Sequence, residues 1–328
     1  VVPLNASDFD TDQEVRWCPS CGDYAILAQL KQVLAALGLP RERFVFVSGI
    51  GCSSRLPYYL NTYGFHTLPG RAAAVATGVK VARPELSVWV ITGDGDGCGY
   101  GLGQLLHAIR RNVDVKILLV NNEVHGLSKG QFSPTSRMGT RTRSSPEGTW
   151  DRPLRPAELA LAAGATFVAR SVDMESEHLG MVLSRAAKHR GTAFVEILQN
   201  CKIFNDGVFE YATDKDTKFD QVLYLEQGQP LLFGRDRNRA LVFHDWKPTV
   251  VTLRPGDPTD HLPRHDERSE SALPAQILAR LMGPNEPECL GVFRCVEQPV
   301  FDPPHARPEM AETNRVDDLF LVEDMWHV

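Results

Sequence analysis

Short apolar runs at residues 44–47, 87–91, 115–120, 166–169 and 193–198 alternate with segments of helical periodicity, and this alternation rules out most architectures. Strands that are apolar throughout are buried on both faces, and parallel neighbours need a crossover long enough to hold a helix. Residues 24–37 supply one such helix, with Ile26, Leu27, Leu30, Val33 and Leu37 at helical spacing and Gly38 and Pro40 to end it. Residues 72–81, rich in small side chains, 101–109, 157–163 and 176–189 supply the others. The pattern predicts an α/β fold, a mostly parallel sheet with helices on both faces. In such sheets ligands collect outside the carboxyl ends of the strands.

The 328 residues, 43% hydrophobic and 23% charged, suffice for one large domain with an appendage. Residues 1–16 read as an N-terminal arm, 17–205 as the main domain, and 206–328 as a C-terminal extension packing on the main domain or on a partner. The extension carries an apolar run at 250–253, a charged stretch, and a helix at 273–282 with Pro274 in its first turn. A net charge of −6 argues against nucleic acid as a partner, because that affinity rests on Lys and Arg neutralising phosphates. The opening residues lack the basic and then apolar segments of a secretory signal, and no apolar run reaches the roughly 18 residues of a membrane helix. The expectation is a cytoplasmic chain without membrane insertion.

Two motifs fall at predicted strand ends. Gly93-Asp94-Gly95 follows the run at 87–91, and Asn121-Asn122 follows the run at 115–120. Together they set a carboxylate and an amide at neighbouring strand ends. A diphosphate must have its charge neutralised before it can sit in a protein, and Mg²⁺ does this through hard oxygen ligands in near-octahedral geometry. Asp94, Asn122 and the backbone carbonyl of Val124 can supply three of those oxygens, while Gly93, Gly95 and Gly97 let the backbone approach the phosphates. The competing reading is a glycine-rich turn in which Asp94 caps the next helix and Asn122 satisfies a turn. GDG alone favours that reading; the second motif at the next strand end turns the balance towards a metal–diphosphate site. A dinucleotide fold fits less well, since the first strand and turn lack the GxGxxG order and its downstream acid.

Seven cysteines at irregular spacing resemble metal chemistry more than a disulfide framework. Cys18 and Cys21 form a CxxC, which alone suits zinc, a redox dithiol or an iron–sulfur site. A four-thiolate centre needs two more ligands. Cys52, in a glycine-rich loop after the first strand, and Cys201, after the last strand of the main domain, can converge on the CxxC. Spacing does not separate zinc from a [4Fe–4S] cluster. Cys98, Cys289 and Cys295 read as packed free thiols.

The stretches SDFDTDQEVRWCPSCGDYAIL, GIGCSSRLPYY, GFHTLPGRAAAVATG, ITGDGDG, RRNVDVKILLVNNEVHGLSKGQFSPTS and EILQNCKIFND cover about residues 7–210. In them the chain closely resembles the β subunits of the 2-oxoacid:ferredoxin oxidoreductases. The resemblance implies a thiamine diphosphate-binding fold of the diphosphate-binding type, with thiamine diphosphate, Mg²⁺ and a [4Fe–4S] cluster as cofactors and CoA as co-substrate. Position by position, it implies Mg²⁺ on Asp94, Asn122 and the Val124 carbonyl, and the cluster on Cys18, Cys21, Cys52 and Cys201. The cofactor contacts expected beside these are Gly51, Cys52, His66, Gly93, Gly95, Asp96, Gly126 and Leu127. Ser20 stands where WCPGCG is frequent, which leaves both thiols intact. Pro69 replaces the second histidine of the frequent HTLHGR, and His125 stands where many relatives have tyrosine.

The same resemblance implies CoA-dependent oxidative decarboxylation of 2-oxoglutarate to succinyl-CoA and CO₂, with ferredoxin reduced and the reverse carboxylation also open. A pyruvate or broad-specificity enzyme is the alternative, and a nonenzymatic iron–sulfur electron-transfer subunit is the alternative of another class. Arg55 is the candidate partner for a substrate carboxylate and His66 the candidate for orienting a reacting group. Lys129, Gln131 and the arginines at 137, 141, 143, 152 and 155 are candidates for CoA or ferredoxin contacts, against a plain solvated loop face. No second thiamine half-site is visible. The resemblance places the activating glutamate on an α subunit, so that the chain is active only in a heterodimer or a dimer of heterodimers.

Overall fold

The computed structural model describes residues 4–245, 247–281 and 286–302. Helix α1 (Asp23–Ala36) precedes β1 (Phe44–Ser48), and β2 (Tyr63–His66) and α2 (Ala72–Ala82) precede β3 (Ser87–Gly93). A π-helical turn over Gly95–Tyr100 leads into α3 (Leu102–Arg110) and then β4 (Val115–Asn121). A two-stranded hairpin, β5 (Val124–His125) and β6 (Gln131–Phe132), opens a long loop that ends at α4 (Pro156–Ala162). Then come β7 (Phe167–Val172), α5 (Ser176–Lys188) and β8 (Ala193–Leu198). Beyond them lie the short helices α6 (Glu210–Thr213) and α7 (Lys218–Gln221), β9 (Val222–Leu225), a three-stranded sheet of β10 (Leu232–Phe233), β11 (Arg239–His244) and β12 (Lys247–Thr252), helix α8 (Leu273–Arg280) and β13 (Glu288–Cys295).

The main sheet has the order β2-β1-β3-β4-β8-β7-β13-β9. From β2 to β7 every neighbouring pair is parallel; β13 runs antiparallel to β7 and parallel to β9. Because successive strand residues face opposite ways, one strand feeds two cores. Val45, Val47, Val88, Val90 and Ile117 pack towards α2, α3 and α4, whereas Phe44, Phe46, Trp89, Ile91 and Leu118 pack towards α1 and α5. This is the mostly parallel sheet with helices on both faces that the periodicity predicts.

The two ends of the chain differ from the sequence expectation in one respect each. Residues 206–295 do not merely pack on the main domain: β9 and β13 extend its sheet, so the sheet continues past residue 205. The reason is a charge match, since Arg170 in β7 needs Glu288 of β13 as well as Glu196 of β8. In the arm, Ala6–Phe9 form a 3₁₀ turn, and Phe9 is fully buried edge-on to Phe44 at 5.9 Å between ring centres. The tail of the extension from residue 303, and Met282 of the expected helix, lie outside the described residues.

Candidate active site at the strand ends

The chain passes from β1 to its neighbour β2 and then crosses to β3 on the other side of β1, so a crevice opens at the carboxyl ends of β1, β3 and β4. A cavity of about 250 Å³ sits there, lined by the loops that follow these three strands. Gly51 and Cys52 come from the first loop, Gly93 to Asp96 from the second, and Asn122, Val124, His125, Gly126 and Leu127 from the third.

Asp94 is 2% exposed, and its Oδ2 accepts hydrogen bonds from Ser133 Oγ at 2.6 Å and Thr135 Oγ1 at 2.7 Å. Burial pushes the Asp94 carboxyl up from its ordinary range, and the two hydroxyls pull it back part of the way. Thr135 also donates to Asn121 Oδ1, whose amide in turn donates to Glu196, so the Asp94 oxygen is tied into the sheet. Asn122 Oδ1 accepts the Val124 N–H at 3.2 Å, which turns the chain so that the amide oxygen and the Val124 peptide belong to one tight loop. A methyl group on Gly95 would lie 2.1 Å from Cε1 of His125, so a larger residue there would displace the imidazole.

Asp96 behaves differently from the expectation of a cofactor contact. It lines the cavity, yet its oxygens are taken by the Gly70 N–H at 2.7 Å, the Ile50 N–H at 3.1 Å and Thr92 Oγ1 at 2.6 Å. It pins three loops together. Gly49 lies against it so closely that a methyl group would stand 1.8 Å from Oδ2. His66 is on the edge strand β2, exposed and outside the cavity lining, with Nδ1 2.9 Å from Ser48 Oγ. Arg55 is half-buried, also outside the lining, and donates to the Arg16 carbonyl at 2.9 Å. Lys129 and Gln131 are exposed, and Arg137 is committed to Glu123 at 3.1 Å.

The four cysteines of the sequence reading gather beside the same cavity. A methyl group on Gly126 would stand 3.6 Å from both Cys52 Sγ and Cys201 Sγ, so the two sulfurs flank one glycine. Cys18 acts electrostatically on both, and Cys52 acts on Cys21. Burial first, then the Asp23 carboxylate, pushes the Cys52 thiol up to about 11, and the same causes push Cys21 up further. Among the described residues, no group of three or more His, Cys, Asp or Glu is arranged so that it could hold a metal ion. What the chain offers is two sulfurs, of Cys52 and Cys201, near one glycine, with Cys18 and Cys21 close enough to act on that pair electrostatically, and sulfur is the donor type that suits zinc or iron–sulfur chemistry. Cys98 is buried in the core between the sheet and the helices, away from that group.

Three site residues carried no recognisable pattern in the sequence. Ser133 and Thr135 fix Asp94, and Gln199 bridges Asn122 to Cys21. The hydroxyl-rich run Ser133-Pro134-Thr135-Ser136 was the one trace of the first two.

A buried carboxylate and an amide at adjacent strand ends of a doubly wound sheet make a cleft of the kind that can hold a cation against an anionic ligand. The family model of the thiamine pyrophosphate enzymes' C-terminal TPP binding domain matches residues 49–197. The 2-oxoglutarate oxidoreductase subunit KorB of Mycobacterium tuberculosis is 48% identical over 301 residues, 92% of this chain and 80% of that protein. The subunit beta of 2-oxoacid:ferredoxin oxidoreductase 1 from Aeropyrum pernix is 46% identical over 200 residues, 61% of this chain and 63% of that one. Among solved structures, a chain of the 2-oxoglutarate:ferredoxin oxidoreductase from Magnetococcus marinus, with 2-oxoglutarate, coenzyme A and succinyl-CoA bound, superposes with a TM-score of 0.73 at 32% identity, covering 92% of this chain and 88% of that chain. The chain belongs to the β subunits of the 2-oxoacid:ferredoxin oxidoreductases and is an oxidoreductase subunit.

Proposed function

We propose that the chain is the β subunit of a 2-oxoglutarate:ferredoxin oxidoreductase that converts 2-oxoglutarate and CoA to succinyl-CoA and CO₂ while reducing ferredoxin. The observation that carries the reading is a juxtaposition: the buried Asp94 and the loop of Asn122 and Val124 share one cavity with Cys52, whose sulfur lies on the same side of Gly126 as that of Cys201. A buried carboxylate held by two hydroxyls and the Gly95 backbone, with no cationic side chain among the described residues bonded to it, suits a cation that also binds phosphate oxygens. Mg²⁺ on Asp94, Asn122 and the Val124 carbonyl, with thiamine diphosphate beyond it, fits that donor set; a [4Fe–4S] cluster on Cys18, Cys21, Cys52 and Cys201 fits the sulfurs.

Thiamine diphosphate supplies the electron sink for loss of CO₂ from a 2-oxoacid, and an iron–sulfur centre beside it supplies an outlet for electrons one at a time. The residues of this chain hold and orient. Ser133 and Thr135 fix Asp94 for the cation, Asp96 clamps the loops of Ile50 and Gly70 around the cavity, and Gly95 leaves room for the His125 ring at the cavity wall. Arg55, whose positive charge already acts on Cys52, serves the distal carboxylate of the substrate. The α subunit completes the thiamine site and contributes the activating acid. The names of the Mycobacterium and Magnetococcus relatives support 2-oxoglutarate as the substrate.

The test is anaerobic co-purification of the chain with its α subunit, followed by ferredoxin reduction driven by 2-oxoglutarate or pyruvate, with and without CoA. The expected result is CoA-dependent reduction with 2-oxoglutarate, together with iron and acid-labile sulfide in equal amount. Equal rates with pyruvate would move the reading to a broad 2-oxoacid enzyme. Stoichiometric zinc without sulfide would overturn the cluster.

A further inference from the structure

Gln199 follows β8 directly and is 1% exposed, so its side chain must find partners inside the protein. Its backbone N–H continues the sheet by donating to the Asn121 carbonyl at 2.8 Å. Its side-chain Oε1 accepts from Asn122 Nδ2 at 2.8 Å, and its Nε2 donates to Cys21 Sγ at 3.2 Å and to the Asn200 carbonyl at 2.7 Å. One amide therefore touches both ends of the site: the asparagine that faces the cation and a sulfur of the cysteine group.

The sense of both amides is fixed by backbone groups that admit one role each. The Asn200 carbonyl can only accept, so Nε2 of Gln199 is the atom that faces it and Cys21. The Val124 N–H can only donate, so Oδ1 of Asn122 is the atom turned towards the Val124 peptide. Reversing either amide would set two oxygens or two nitrogens together between Asn122 and Gln199. The stem of Gln199 is seated too: a methyl group on Gly22 would lie 2.9 Å from its Cγ.

We propose that Gln199 is the positioning residue that couples the two halves of the site. It presents the oxygen of Asn122 to the cation and donates a hydrogen bond to the Cys21 sulfur, and the inference rests on the magnesium and iron–sulfur roles argued under the proposed function. Outer partners of this kind orient metal ligands and set their strength. A hydrogen bond to a ligating sulfur stabilises the more negative, reduced centre and raises its potential.

The experiment compares wild type and Gln199→Met in the complex with the α subunit, measuring the cluster's reduction potential by EPR-monitored titration and the Mg²⁺-dependent affinity for thiamine diphosphate by calorimetry. The potential is expected to become more negative, and the affinity to fall on the order of 10–100-fold. Either quantity unchanged overturns the coupling, which a merely structural role for Gln199 would leave unmoved in potential. Should the Met variant fail to assemble, Gln199→Glu carries the test. It keeps an oxygen for Asn122 and sets a carboxylate against Cys21, so the affinity should hold while the potential drops; a wild-type potential in that variant overturns the proposal. Iron and sulfide are assayed on every sample. A wild-type complex lacking them ends the iron–sulfur reading itself, whereas a loaded complex with an unmoved variant potential ends this inference alone.

Discussion

The two ends of the main sheet both bury polar side chains and use them in opposite ways. At the amino ends of the strands, Lys116 reaches Asp114 Oδ1 at 2.8 Å and the carbonyls of His189 and Gly191, while Lys80 closes on the other Asp114 oxygen at 2.8 Å. Beside them the Asn112 oxygen accepts from Thr166 and from the Thr192 N–H. Every charge there meets an opposite charge or a carbonyl of this chain. At the carboxyl ends, Asp94 is held by neutral hydroxyls and the half-buried thiols stand among carboxylates, so burial raises the pKa of each. Charge left uncompensated in a cleft is costly, and its retention marks a site completed by something else. The amino end closes its charges within the chain; the carboxyl end is where the proposed ligands would compensate them.

That contrast predicts opposite phenotypes. Lys116→Met leaves Asp114 to Lys80 alone and takes the donor from two carbonyls, and should cost on the order of 3 kcal/mol of unfolding free energy. The expected result in urea titration is a large drop in midpoint, with unchanged affinity for Mg²⁺ and thiamine diphosphate in whatever folded protein remains. A selective loss of cofactor affinity would show that the two ends are not separate. Asp94→Ala reverses the pattern. If Asp94 holds the cation as proposed, its removal should cost at least about 100-fold in cofactor affinity, roughly 3 kcal/mol. Unfolding of the cofactor-free protein should stay within about 1 kcal/mol of wild type, because a buried carboxyl with a raised pKa contributes little to the fold. A destabilised variant with intact cofactor binding would make Asp94 a structural residue.

What the sequence made legible was uneven, for a physical reason. Strands β3 and β4 are apolar runs, and glycine, aspartate and asparagine after them are conspicuous because a buried sheet edge has no ordinary use for them. Strand β2 escaped notice because all four of its residues are exposed at the sheet edge, and β13 because it carries Glu288, Gly291 and Arg294 within eight residues. Its burial depends on Arg170, in another strand, and no local pattern records such a match. The helix starting at Leu102 was legible, but the π-helical turn before it was not, because five glycines between 93 and 101 read as a loop until Asp96 is seen clamping them to Ile50 and Gly70. Cys18, Cys21, Cys52 and Cys201 were legible as residue types. Ser133, Thr135 and Gln199 were not, since a neutral hydroxyl or amide gains its role only from the partner that folding brings to it.

The smallest expected effect belongs to His189, the one titrating group of the amino-end cluster whose ordinary pKa lies near neutrality. Burial, and then the nearby Lys116 ammonium, push its imidazole down from 6.5 to about 4, while its Nε2 stays 2.8 Å from Thr166 Oγ1 and its ring lies 5.4 Å from that of Phe167. The folded state therefore favours the neutral ring. Below the unfolded value near 6.5 the unfolded chain takes up a proton that the folded chain refuses, so stability falls as pH drops through 6.5 and the contribution is gone once pH passes about 4. Partial exposure of the ring reduces the loss to about 1–2 kcal/mol. His189→Gln keeps a hydrogen-bonding group for Thr166 and removes the proton, so the difference in unfolding free energy between variant and wild type should grow in the variant's favour between those two pH values and level off outside them. A pH-independent difference would mean that the ring is already solvated, and that the closure of the amino end stops at Lys116 and Asp114 rather than extending to His189.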